Sequence, residues 1–167
     1  MNLNFIRNIV FFVILLVVQT LVLNHIHLLG CATPLLYVYF VMPMRRNEPQ
    51  WATLLWCFAL GLGVDIFSNT PGVGAASMTL VGLLQPYLLR LFAPRDSADD
   101  LRPSLLTLGV AKYVNYTIIM VLVYCMAFFT IEAFNFNNIV QWLCCVGGCA
   151  TLTTILILVI ENFRQRK

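Results

Sequence analysis

The stretch whose residue types and spacing come nearest to chemistry is Gly61 to Ala76, GLGVDIFSNTPGVGAA. It sets one acid, Asp65, at the end of an apolar run, with Gly61 and Gly63 behind it and Pro71, Gly72 and Gly74 ahead. Asp65 lies 14 residues past Trp51, about 21 Å along a helix, near the far boundary of a hydrocarbon core about 30 Å thick. An ionisable group at that depth is costly. It tends to face a bundle interior, a cavity or a partner. Two readings stay open. In the first, Asp65 accepts hydrogen bonds from amides in the turn around Thr70 to Val73, or caps the helix that follows. In the second, it contacts a partner or ligand directly. Gly61 and Gly63 suit close helix contact, and Pro71, Gly72 and Gly74 suit a turn.

Other groups are weaker candidates. His25 and His27 have the types for a metal site or a pH switch, but no acid or cysteine nearby completes one, so they read as loop residues. Cys144, Cys145, Gly147, Gly148 and Cys149 resemble a metal cluster, yet they fall in an apolar span where small residues let helices approach. Lys112, about 12 Å into a helix starting at Ser104, can snorkel toward the cytoplasm. Pairing it with Asp65 would mean closing a depth difference of about 9 Å. No metal, cofactor or catalytic residue is expected.

Gly61, Leu62, Gly63, Val64 and Asp65 nearly spell the Gly-x-Gly-Asp of aspartyl intramembrane proteases, with one residue intervening. Those enzymes also need a second spanning aspartate, and Asp65 is the only aspartate in any apolar segment of this chain. One carboxylate cannot act as an acid and base pair. Ser68, Ser77 and Ser104 have no spanning histidine to activate them. The chain therefore reads as a protein that is not an enzyme.

Composition defines what must position these residues. Of 167 residues, 60% are hydrophobic and only 10% charged, with a mean hydropathy of +0.87, whereas soluble domains carry about 25% charged residues. No polar block is long enough to fold separately, so residues 1–167 form one membrane domain. A net charge of +3 without a basic cluster argues against a nucleic-acid partner. The six cysteines lie within apolar stretches, as small hydrophobes rather than a disulfide framework. Arg7 ahead of the run from Ile9 to Leu23 has the charge order of a signal peptide but no small-residue cleavage site, which predicts a retained helix.

Taking about 20 apolar residues per span, the candidates are Phe5 to Leu23, Gly30 to Met44, Trp51 to Phe67, Val73 to Phe92, Ser104 to Thr130 and Asn138 to Ile160. The expectation is an all-α membrane protein with six transmembrane helices and both ends in the cytoplasm. The second span is short, with Pro34 and Pro43 near its ends. It is kept because the positive-inside rule then places Arg7, Arg45, Arg46, Arg90, Arg95, Arg102, Arg164, Arg166 and Lys167 on one side. The loops around His25 to Leu29, Ser68 to Gly72 and Ile131 to Asn137 carry no Lys or Arg. The longest connector, Ala93 to Pro103, reads as solvated despite Asp96, Asp99 and Asp100.

Gly61, Gly63 and Asp65 closing one span, with Pro71, Gly72 and Gly74 opening the next, resemble the MreD family of rod shape-determining proteins. The motif covers about Trp51 to Leu89, and the remainder matches in length and span count. The resemblance implies a scaffold in the bacterial inner membrane, within the elongation machinery that serves cell shape and peptidoglycan synthesis. Its implied partners are the bitopic protein MreC, MreB, and RodA with its class B penicillin-binding protein. The family's fold is similar to the S components of energy-coupling-factor vitamin transporters, so a transporter S component is the competing expectation. S components use Ala-x-x-x-Ala patterns in an early helix, and FIRNIVFFVILLVVQTLVL has none.

Overall fold

Apolar runs free of interior breakers need no tertiary help to become helices, because in lipid a backbone N–H or C=O left unpaired costs several kcal/mol. A computed structural model describes residues 3–21, 34–44, 48–70, 72–93, 103–132 and 139–165. The described residues are helical or irregular, with no strand among them. The helices are α1 (Leu3–Leu21), α2 (Gln50–Ser68), α3 (Val73–Phe92), the single turn α4 (Leu105–Leu108), α5 (Val110–Glu132) and α6 (Ile139–Gln165). Four stretches are long and apolar enough to cross a membrane, namely α2, α3, α5 and the Trp142–Arg164 part of α6. The apolar part of α1, Ile6–Leu21, is shorter. This is the architecture of a multi-pass membrane protein, with four spanning-length helices among the described residues against the six expected.

The expected second span departs most. Over its described part it is a short 3₁₀ helix, Leu36–Phe40, followed by turns to Met44. Its bonds run from Val38 N to Leu35 O, Val41 N to Val38 O and Met44 N to Val41 O, each closing over three residues. Proline accounts for this. Pro43 has no N–H for the carbonyl of Tyr39 and its ring would clash with it, while Pro34 disfavours helix just before itself. Too few residues lie between them for a spanning helix. Yet Leu35 to Met42 are all buried, making this irregular strip the centre of the bundle.

α2 packs against α3, α3 against α5 and α5 against α6, while the 3₁₀ strip lies against α1 and α6. Rings of Phe11, Phe12, Phe40 and Trp56 lock α1, the strip and α2 together at centroid separations of 5.7–6.3 Å. The strip runs antiparallel to α1: Gln19 meets its start and Phe11 meets Tyr39 and Phe40 near its end.

The fifth span also differs. Ser104 and Thr107 form a capping box over α4, and Gly109, at φ 81°, interrupts the chain before α5 begins at Val110. Lys112 is consequently exposed in the first turn of α5, about 3 Å along it rather than 12. Phe92 packs on Tyr116, so the start of α5 adjoins the end of α3, and Lys112 lies at the opposite end of the bundle from Asp65. All four described cations, Arg7, Arg90, Lys112 and Arg164, gather toward that same end.

Candidate functional site

Asp65 is the last buried residue of α2. Its Oδ1 accepts from the Gly74 amide at 2.8 Å and the Thr70 hydroxyl at 3.1 Å, and Oδ2 accepts from the Ala75 amide at 2.9 Å. Gly74 and Ala75 lie in the first turn of α3, whose N–H groups have no partner within the helix. The positive end of the helix dipole faces the carboxylate. One side chain thus answers a cost of burial on both elements: the acid gains donors, and the helix start gains acceptors. The chain folds back tightly enough for this because Asn69 ends α2 in the left-handed region at φ 57° and Gly72 adopts φ 85°. The backbone carbonyl of Asp65 in turn accepts from Thr70 N at 3.3 Å.

Close approach is enforced by glycine. A Cβ on Gly61 would stand 2.6 Å from Ala75 Cα and from Gly74 O, and one on Gly74 would stand 2.5 Å from Asp65 Oδ1. Gly63 serves a different contact, against the Leu16 side chain of α1. Pro71 lies outside the described residues. The structure therefore brings Gly61, Asp65, Gly72 and Gly74 into one junction between α2 and α3 and sets Gly63 on another face. Asp65 is only 4% exposed, and both carboxylate oxygens are engaged within the chain.

Below this junction runs a buried polar column that the sequence reading missed. The hydroxyls of Tyr37 and Tyr124 hydrogen-bond to each other, joining the 3₁₀ strip to α5. Gln19 of α1 receives the Leu36 amide on Oε1 at 3.0 Å and donates from Nε2 to Pro34 O at 3.1 Å. Thr153 of α6 accepts from the Leu35 amide at 3.0 Å, and Gln85 of α3 donates to Met44 O at 3.4 Å. Three helices thus supply the bonds that an irregular backbone at membrane depth cannot make for itself. The available signal was a glutamine within an apolar run, as at Gln19 and Gln85.

At the cationic end, the Tyr39 hydroxyl donates to Oε2 of the buried Glu161. Arg164 Nη1 donates to Tyr39 Oη at 3.0 Å and Glu161 Oε2 at 3.2 Å. This cluster borders a cavity of about 290 Å³ between α1, the end of the strip and α6.

The remaining candidates scatter. His25, His27 and Cys31 lie outside the described residues. Cys144 is exposed and Cys149 buried in α6. No group of three or more potential metal ligands occurs among the described residues. Helix approach through small residues does not hold at Gly147, where an added Cβ would meet nothing within 4 Å. No protein-family model, curated protein or solved structure matches this chain.

Proposed function

We propose that this chain is a non-enzymatic membrane scaffold, one that binds partner proteins through helix faces and short external loops. Within that class, the particular reading is a component of the bacterial cell-elongation machinery of the MreD kind. In this reading it lies in the inner membrane with six crossings and both ends cytoplasmic, the 3₁₀ strip serving as the second crossing. Its direct partner is an MreC-like bitopic protein, with MreB, RodA and a class B penicillin-binding protein in the same assembly.

The observation that carries the reading is the Asp65 junction. The motif behind the resemblance forms a tight cap in which both carboxylate oxygens bond to the chain itself, leaving shape rather than chemistry to be presented outward. A rigid apex between two helices favours recognition, since little ordering remains when a partner binds. Beneath it, Tyr37 and Tyr124 are fully buried and fill the interior at the level where they meet, which favours a scaffold over a small-molecule carrier.

Co-purification tests this. The tagged protein, expressed with an MreC-like partner, is expected to retain it in mild detergent. Specific vitamin binding by the isolated protein, with no retention of that partner, would establish the S-component alternative instead.

A further inference from the structure

We propose that α6 is a hinged clasp: it swings on α5 and parts from the 3₁₀ strip along a seam latched at Thr153 and at Glu161. The inference rests on how the helices pack and not on the scaffold role. Among the described residues, α6 has extended packing with α5 alone and meets the strip and α4 over only a few residues. Its links to the strip are polar and fall at two levels, the Leu35 amide on Thr153 and the Tyr39 hydroxyl on Glu161 and Arg164. Every other neighbour holds the strip in place. Gln19 of α1, Gln85 of α3 and Tyr124 of α5 bond to it, and Trp56 of α2 lies 6.3 Å from Phe40.

The bonds themselves select this seam over the one at α1. Gln19 satisfies both the Leu36 amide and the Pro34 carbonyl, so parting α1 from the strip strands two backbone groups in an apolar interior. Parting α6 strands one, the Leu35 amide. The α6 side of the seam carries its own replacements. Glu161 keeps Arg164, three residues along the same helix at 3.2 Å, so the buried acid leaves with its cation. The Thr153 hydroxyl can turn to the carbonyl one helical turn back, as Thr151 and Thr154 already do. Space for the movement exists at the cationic end, where the cavity of about 290 Å³ is bounded by Phe11 of α1, Phe40 and Met44 of the strip region and Arg164 of α6. Opening widens that cavity and uncovers Glu161. Because α6 carries both latches, release of one loosens the other.

The test is hydrogen exchange on the full chain in lipid nanodiscs, read at single amides by NMR. Leu35 N–H bonds to Thr153 of α6 and Leu36 N–H to Gln19 of α1, so adjacent amides report on different helices. After correction for intrinsic rates, Leu35 is expected to exchange about tenfold faster than Leu36, as for a unit that opens below the global free energy. Tyr39→Phe removes the second latch. It is expected to speed Leu35 by about a further fivefold, the scale of one hydrogen bond, with Leu36 changed by less than about twofold. Thr153 and Glu161 are two helical turns apart, about 12 Å, so this response reads the movement of α6 as a body. Equal rates at Leu35 and Leu36 in the wild type would overturn the proposal, whether both are slow or both fast. So would a Leu35 rate that Tyr39→Phe leaves unchanged, or a rise that Leu36 shares in full.

Discussion

The two ends of this bundle handle buried charge in opposite ways. At the Asp65 end, a single anion is held by backbone amides and a threonine hydroxyl, with no cation beside it among the described residues. At the other end, Glu161 is held by a phenol and a guanidinium, beside an open cavity. Backbone donors cannot be re-aimed, so the first arrangement demands glycine at the contact and leaves no space to spare. Side-chain donors are long and adjustable, so the second tolerates a cavity and a half-exposed arginine. A rigid end and an adaptable end follow from which part of the chain supplies the hydrogen bonds.

That contrast breaks most readily at Gly61. Gly61→Leu must force Ala75 and Gly74 backbone away, and overpacking against backbone is expected to cost about 3 kcal/mol, read as an earlier unfolding midpoint on titrating SDS into mixed micelles. A loss under about 1 kcal/mol would mean the junction yields as easily as a side-chain contact. Asp65→Ala comes next. It leaves two buried amides at the start of α3 without their acceptor, which is expected to cost about 2 kcal/mol in the same titration and to speed hydrogen exchange at Gly74 and Ala75. Unchanged exchange there would show that water or another group serves α3 as well as the carboxylate does. The smallest effect is expected from Tyr39→Phe. Arg164 still engages Glu161, so the loss should stay near about 1 kcal/mol; a loss matching that of Asp65→Ala would erase the distinction between the ends.

Much of the helical framework was legible locally. The fourth expected span, Val73 to Phe92, coincides with α3, and the third differs from α2 by one residue at each end. Asp65 as acceptor for the following turn was among the readings of its sequence, because glycine, asparagine and proline write turn geometry into adjacent positions. The second and fifth spans were not legible to the same degree. Charge placement kept Gly30 to Met44 as a span despite its two prolines, and hydropathy, which averages over a window, ran past Gly109 into a helix that begins only at Val110.

By itself the sequence determined that this is a helical membrane protein and which helices α2 and α3 would be, and it offered, as one of two readings, an acid bonded to the turn between them. Those features depend on composition and on neighbours within about ten residues. Only the tertiary structure decided that Leu35 to Met42 form a centre that is not α-helical, that Gln19, Gln85 and Thr153 satisfy it, and that Glu161 is shared by Tyr39 and Arg164. The bond from Leu35 to Thr153 spans 118 positions and that from Tyr39 to Glu161 spans 122. No local pattern records such a pairing. It arises because an irregular backbone in an apolar interior must find its partners on whatever helices pack around it.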